Sequence, residues 1–516
     1  MRNIKNQSPF QNYIQRKLSA FRHSATGLVS RFGKDRSGAI AIMFGIAVIP
    51  ILIGAGVAVD YSRALTVKNR LSQAIDAAAL AVGASKETDE DVLKQMAKDY
   101  FAANYSPYEL GTPGALQITF ADKKITIAAT AELPTTLMNL VGITKMDVGS
   151  NVEVSKELRR LEVVMVLDNT GSMGSGGKID ALKSAATDLV NILAAEQPDQ
   201  DKLKFGLVPF SAAVKVGTAY QNSGWIDVGK QNSLHGIQFE NTDNVFDVYN
   251  KLSNRSWSGC VEARPSPLDV SDTPPVAGDT LWVPYFAPDE PNGSGIWGYS
   301  NSYLSDNTSN SNLDYRQKKS NKYDAQSVSS SSKGPQYNCV TAPIAPLSGD
   351  TTEVLNAIQA MDANGYTLIP LGLAWGWRVI SPEEPFTEGV AYTEKDTDKA
   401  IILLTDGLNN IGAQGNHNKS RYNGYGFVAQ GRLGTTSSSQ AQNALDTRTS
   451  TLCTNIKATG VIVYTITFQL DDDDTETLFR NCATDPSKYY NSPSNAELQT
   501  AFKAIAKDLG KLRLSK

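Results

Sequence analysis

Two stretches of this 516-residue chain put oxygen-bearing side chains where an apolar strand should end. In the first, LEVVMVLD (161–168) runs into NTGSMGSGGK, so Asp168, Thr170 and Ser172 project from one tight turn. In the second, IILLT (401–405) is followed by Asp406 and Gly407. Thr367 falls between them in sequence, in a Gly-flanked loop ahead of a helical segment, GYTLIPLGLAWG. One carboxylate and two hydroxyls at i, i+2 and i+4, joined by a second carboxylate, make a hard-oxygen set. Such a set suits Mg2+, or another hard divalent cation such as Mn2+ or Ca2+, which tolerates several water ligands and needs no all-protein cage. Only three histidines exist (His23, His235, His417), which limits imidazole-based metal or acid–base sites.

The same turn invites two enzyme readings, and both fail on fixed positions. A phosphate-binding loop needs G-x-x-x-x-G-K-[ST]. Here Gly177-Lys178 is present, but Ser172 replaces the first Gly and Ile179 follows the Lys. A hydrolase elbow needs G-x-S-x-G. Thr170 stands in place of its first Gly, and His417 follows Asp406 closely in a polar Gly/Asn loop. The expected protein is therefore non-catalytic.

The elements that must hold these residues are readable from apolar patterning. LEVVMVLD is a near-continuous apolar run, as expected of a central parallel strand buried on both faces. A helical stretch (179–195), the strand FGLVPFS (205–211), IILLT (401–405) and VIVYTITF (461–468) extend the pattern, with helical segments between. Strands alternating with helices predict an α/β fold, a doubly wound and mostly parallel sheet with ligands at its carboxyl edge. A closing helix from Asn495 to about Leu512 carries Leu498, Phe502, Ile505, Ala506 and Leu509 on one face and should pack on that sheet. From about 212 to 345 the rhythm is lost in a stretch rich in Ser, Asn, Gly, Pro, Tyr and Trp. It reads as a partly ordered insertion at a sheet edge, its aromatics forming either a contact surface or a small core. The Asp471–Asp474 run reads as a solvated turn.

Upstream, residues 87–157 read as a small α+β module. Thr88 should cap a helix from Asp89 to about Asn104, and period-two runs at Leu116–Phe120, Ile125–Ala129 and Met146–Val154 predict strands, the first two joined by a hairpin at Asp122-Lys123-Lys124. Residues 61–86 are alanine-rich with helical spacing and read as a stalk, which offers a face for oligomerisation. Residues 37–60 read as a transmembrane helix: Ala39–Val59 has no charge and would be roughly 31 Å long, the thickness of a hydrocarbon core. Residues 1–36 form a basic leader with eight basic side chains and one acid. By the positive-inside rule the leader stays cytoplasmic and the chain after Asp60 is exported. A cleaved signal peptide would have a shorter apolar run closed by a small-x-small site. The segment therefore reads as an uncleaved single-pass anchor, with the bulk of the chain exported.

The overall charge of −4 gives no reason to expect nucleic-acid binding. The four cysteines, Cys260, Cys339, Cys453 and Cys482, all follow the anchor, and no C-x-x-C occurs. An even count in an oxidising compartment favours disulfides. Three pairings are open, and pairing of sequence neighbours, Cys260–Cys339 and Cys453–Cys482, is the one expected.

The order D-x-T-x-S … T … TDG resembles the von Willebrand factor A domain and its metal-ion-dependent adhesion site. The resemblance implies that residues 158–516 form such a domain, interrupted at about 212–345, and that Asp168, Thr170, Ser172, Thr367 and Asp406 surround a divalent cation. Thr170 replaces the Ser of many members but keeps the hydroxyl. The segment RFGKDRSGAIAIMFGIAVIPILIGAGVAVDYSRALTVKNRLSQAIDAAALA resembles the N-terminal part of TadE/TadG-like Flp pilus assembly proteins, and CVEARP (260–265), NCAT (481–484) and the closing helix resemble TadG-like members. This implies a component of pilus or secretion machinery whose domain takes an acidic residue of a protein partner. One departure is Met43, which stands where processed prepilins carry a Glu five residues after the scissile Gly, so the helix should remain an anchor. The rival reading is a membrane-anchored adhesin or envelope structural protein of the same fold without a pilus role.

Overall fold

An uncharged run followed without a break by an alanine-rich stretch forms one helix, α1 (Gly38–Gly83), with Pro50 accommodated inside it. The computed structural model describes residues 38–512 except 86, 88, 107–109, 122–123, 156–158, 198, 293–297, 307–308 and 341. The basic leader, Thr88 and the Asp122–Lys123 turn thus lie outside the described residues. The chain divides into two units, residues 1–157 and 158–516.

In the first unit, α1 changes character along its length. Ile42, Phe44, Ile49, Leu52 and Val59 are exposed, and the helix is long and apolar enough to cross a membrane. From Ala64 onward, Val67, Leu71, Ala74, Ile75, Ala78 and Val82 are buried. They pack with Leu93, Ala97 and Phe101 of α2 (Glu90–Asn104) and with a four-stranded antiparallel sheet. Residues 61–83 are therefore the central helix of the small module and not a stalk apart from it. The reason is that α2 and the sheet each carry one apolar face and need a partner to bury it. The strands are β1 (Thr112–Pro113), β2 (Gln117–Ala121), β3 (Lys124–Pro134) and β4 (Lys145–Ser155). β3 is central, with β2 and β1 along one edge and β4 along the other. Its Ile125, Ile127, Ala129, Ala131 and Leu133 alternate into the core. Asp89 caps α2, its carboxylate accepting from the Asp91 and Val92 amides.

The second unit holds a sheet in the order β12-β11-β10-β5-β6-β7-β8, with β9 also on β6. β5 (Arg160–Asp168), β6 (Leu203–Phe210), β10 (Thr397–Thr405), β11 (Ile462–Phe468) and β12 (Tyr489–Ser492) are mutually parallel. β7 (Val214–Lys215), β8 (Cys260–Val261) and β9 (Ala345–Ser348) add antiparallel pairs beyond β6. Successive residues of β5 face opposite layers. Val163, Met165 and Leu167 pack with α3 (Lys178–Glu196), α6 (Thr351–Gln359) and α10 (Asn495–Leu512). Val164 and Val166 pack with α7 (Ile369–Ile380), α8 (Ser438–Ala458) and α9 (Asp473–Cys482). The sheet is doubly wound, as expected, and Leu498, Phe502, Ile505, Ala506 and Leu509 of α10 are all buried.

The insertion contains α4 (Val245–Lys251) and α5 (Leu313–Lys318) among irregular segments. Its aromatics are core rather than contact surface. Trp225, Phe239, Tyr249, Trp257, Trp282, Phe286 and Tyr323 are buried and continuous with one face of the sheet. The join is the Trp282 ring, 5.0 Å from that of Trp375 on α7. The guanidinium groups of Arg264 and Arg378 lie 4.5 and 5.1 Å from Trp282, a cation–π pairing that lets two buried cations coexist with the aromatics. Both disulfides join sequence neighbours, Cys260–Cys339 and Cys453–Cys482. The second links α8 to the last residue of α9. The acidic run is helical: Asp472 caps α9 through the Thr475 amide, and Asp473 and Asp474 lie in its first turn, where negative charge complements the helix dipole.

Candidate metal centre

β5 and β10 are neighbours in the sheet, yet the chain leaves β5 toward β6 on one side and β10 toward β11 on the other. Loops that diverge in this way open a crevice at the carboxyl edge, the topological switch point of an α/β sheet. Asp168 ends β5 and Asp406 follows β10, so both carboxylates reach that crevice.

Asp168 is fully buried. One of its oxygens accepts from the Thr170 amide at 2.8 Å, and the other from the Thr405 hydroxyl at 2.7 Å. These bonds fix the carboxylate and, with it, the turn that carries the two hydroxyls. The Thr170 and Ser172 hydroxyls are 3.0 Å apart. The Ser172 hydroxyl donates to Asp406 at 2.5 Å across 234 residues of sequence. Thr367 is buried in the loop before α7, and its backbone carbonyl accepts from the Asn410 amide at 2.7 Å. A Cβ built on Gly407 would lie 3.7 Å from the Thr367 hydroxyl, which puts that hydroxyl beside the β10 loop. The Gly365 carbonyl, on the same segment as Thr367, accepts from the Gly171 amide and ties the two loops together. Gly365 has φ +85°, a conformation open to glycine and strained for other residues.

Lys178 was not among the residues expected here. Its ammonium, on the first residue of α3, meets the second Asp406 oxygen at 2.9 Å. The signal for it is the Gly-Gly-Lys at the helix start, which sets a Lys at the mouth of the crevice without completing a phosphate-binding loop. Thr405, which orients Asp168, was also missed; it reads as the last residue of a strand. Burial, and then the charge of neighbouring Asp406, push the Asp168 carboxyl up to about 7. Two acids brought together away from water raise the cost of ionising both. His417 does not join Ser172 and Asp406 in a triad: its Nδ1 is 2.8 Å from the Tyr299 hydroxyl, and burial lowers its basicity.

Residues 38–85 match the family model described as "Putative Flp pilus-assembly TadE/G-like". The match covers α1 and the two residues after it. No curated protein matches the chain. Among solved structures, the chain is similar to the pilus adhesin SpaC from Lactobacillus rhamnosus GG at 12% identity, over 79% of this chain and 36% of that one, with a TM-score of 0.33. It thus spans about a third of that protein. It is also similar to the vWF domain of the type V pili tip protein Mfa5 from Porphyromonas gingivalis (13% identity, 69% and 97% covered, TM-score 0.32). A third is the PilB minor pilin from Streptococcus sanguinis (12%, 78% and 78%, TM-score 0.32). The second unit is a doubly wound α/β fold on the strand order and register given above.

The CVEARP and NCAT runs have structural work. In CVEARP, Cys260 is bridged, Glu262 accepts from Tyr422 and from Arg432 at 2.5 Å, and Arg264 lies over Trp282. In NCAT, Cys482 is bridged, and Thr484 exchanges two bonds with the Val463 backbone of β11.

Proposed function

We propose that this chain is an inner-membrane-anchored component of Tad/Flp pilus assembly, with its bulk in the periplasm, that binds a protein partner and carries out no chemistry on it. The binding element is a divalent cation, Mg2+ or a hard relative, held by Asp168, Thr170, Ser172, Thr367 and Asp406. The observation that carries the cation reading is the bond between Ser172 and Asp406 at the switch point, joining the two sequence-distant halves of the ligand set. Every candidate donor atom is a hard oxygen, which fits such an ion. Among the described residues no cluster of three or more His, Cys, Asp or Glu offers a cage, so the hydroxyls are essential to the set. A bound ion would supply an open coordination position for an acidic side chain of the partner. The pilus reading is supported by the family match over 38–85.

Titrating the full-length protein in detergent with Mn2+ in a calorimeter tests the cation. Saturable binding is expected, and Asp168→Ala should abolish it; identical titrations would remove the ion from the account. The pilus role is tested by cross-linking in cells: pilus or secretion components should be captured, and their loss with Asp406→Ala would tie capture to the site. Recovery of envelope proteins alone would favour the adhesin or structural alternative.

A further inference from the structure

The β3–β4 hairpin runs alongside α1, and the contacts fix its direction. Near the far end of the helix, a Cβ on Gly83 would touch Val154 of β4 at 2.8 Å. Midway, the Ser72 and Ser150 hydroxyls are 2.8 Å apart. At the other end, a Cβ on Gly56 would lie 2.8 Å from the Leu137 Cβ. The tip of the hairpin, residues 135–144, therefore arrives beside the last turn of the uncharged stretch of α1. Its neck is closed by the Thr135 amide donating to the Thr144 carbonyl at 3.1 Å.

Asp60 locks the tip in place. Its carboxylate is fully buried. One oxygen accepts from the Thr136 amide at 3.0 Å and the Thr136 hydroxyl at 2.5 Å. The other accepts from the Leu137 and Met138 amides at 2.9 and 2.8 Å. Asp60 thus caps, from a different element, the short 3-10 turn Met138–Val141. Gly142, at φ +87°, turns the chain back toward β4.

What this locked tip presents is apolar. The sequence from Leu133 to Thr144, LPTTLMNLVGIT, has no charge. Leu140 is 83% exposed, and Leu137, Val141 and Ile143 are exposed with it. On α1, Ile53 and Val57 are exposed as well. Charge resumes on the side away from the membrane stretch: Glu132 and Lys145 pair at 2.7 Å across the neck, and Arg63 donates to the Thr136 hydroxyl at 3.0 Å. Apolar surface at the level of the span, with charges one layer further out, is the layering of a group seated in a bilayer interface.

We propose that the 135–144 loop inserts into the exported-side leaflet beside α1, giving the small module a second, non-spanning membrane contact. The occupant of this apolar tip is lipid, because its surface is continuous with that of the spanning helix. The proposal rests on the reading of α1 as a membrane span and is independent of the cation site. Two contacts locked together by Asp60 would fix the tilt and rotation of the module at the membrane surface, which a single helix leaves free.

The test uses full-length protein reconstituted in phosphatidylethanolamine–phosphatidylglycerol vesicles. The native cysteines are all bridged, so Leu140→Cys supplies a single thiol for an environment-sensitive fluorophore. Its emission should shift to the blue and be quenched by lipids spin-labelled in the acyl chain. A label at Gln95→Cys, on the exposed face of α2, should show neither effect, and one at Leu52→Cys should be quenched. Ile143→Cys gives the same reading if Leu140→Cys does not fold. Quenching at Leu52 with Leu140 indistinguishable from Gln95 would overturn the proposal and leave the span intact. A blue-shifted but unquenched Leu140 label would mean that protein covers the loop, which also overturns it. An unquenched Leu52 label would overturn the span and the loop contact together.

Discussion

Lys178 sets the charge balance of the candidate centre. Its ammonium pairs with Asp406 at 2.9 Å, and on the proposed cation reading a divalent ion taking that carboxylate as a ligand would have to displace it. Lys178→Met should therefore tighten Mn2+ binding by about tenfold, equivalent to ~1.4 kcal/mol, measured by calorimetry on the full-length protein. The same change leaves a buried carboxylate without its partner. Melting in chelator should accordingly fall below wild type, and added Mg2+ should close the gap. An unchanged affinity would mean that the ammonium and the ion do not compete. Of this candidate centre, Asp168, Thr170 and Ser172 were legible because their types and spacing are local, whereas joining Asp406 and Thr367 to them took the end of a second apolar strand and a family resemblance. Lys178 and Thr405 were not, because their roles depend on which atoms of a distant loop come within reach.

Among the elements, α9 offers the cleanest test. Asp472 accepts from the Thr475 amide at its start, so Asp472→Ala should lower stability by about 1 kcal/mol, read from the midpoint of chemical denaturation. Asp471→Ala, outside the cap, should have little effect; equal losses would return the run to a simple charged turn. The acids are solvated as expected, with Asp471, Asp473 and Asp474 exposed, but the helix start among them was missed because a cap is defined by the helix it opens. Of the parallel strands, β5, β6, β10 and β11 were legible since both their faces are buried and their runs are largely apolar; β12 was not, because Tyr489–Ser492 is short, polar and only partly buried. The core of the 212–345 stretch was not legible, because it is built from aromatics at irregular spacing, such as Tyr249 and Phe286 with rings 4.7 Å apart, and is joined to the sheet through Trp282 and Trp375 of α7. The 61–83 segment was legible as a helix with one apolar face, but not as the core helix of the small module: periodicity reports which face is apolar, not what covers it.

At the scale of the whole molecule, the chain has a membrane-length helix at one end of its described part and two disulfides in the other unit. A reporter that requires an oxidising compartment, fused to the C-terminal end, should be active in cells; activity confined to the cytoplasm would reverse the topology. The bridges should differ in weight. Cys260–Cys339 spans 79 residues and Cys453–Cys482 spans 29, and the chain-entropy account makes the longer closure worth about 1 kcal/mol more. Paired Cys→Ser variants compared by denaturation give the order, and a reversed order would point to strain or residual structure in the unfolded chain. The adjacency of β5 and β10 has a further consequence, one of timing. Thr405 and Asp168, hydrogen-bonded in the finished sheet, are 237 residues apart in sequence. A contact of that order requires the closing of a very long loop, which slows its formation. The two carboxylates are thus expected to meet late, after most of the intervening chain has been ordered. On the proposed cation-site reading, adhesive competence would then act as a maturity mark: a half-folded chain would carry the ligands but not the site, and could not capture a partner prematurely.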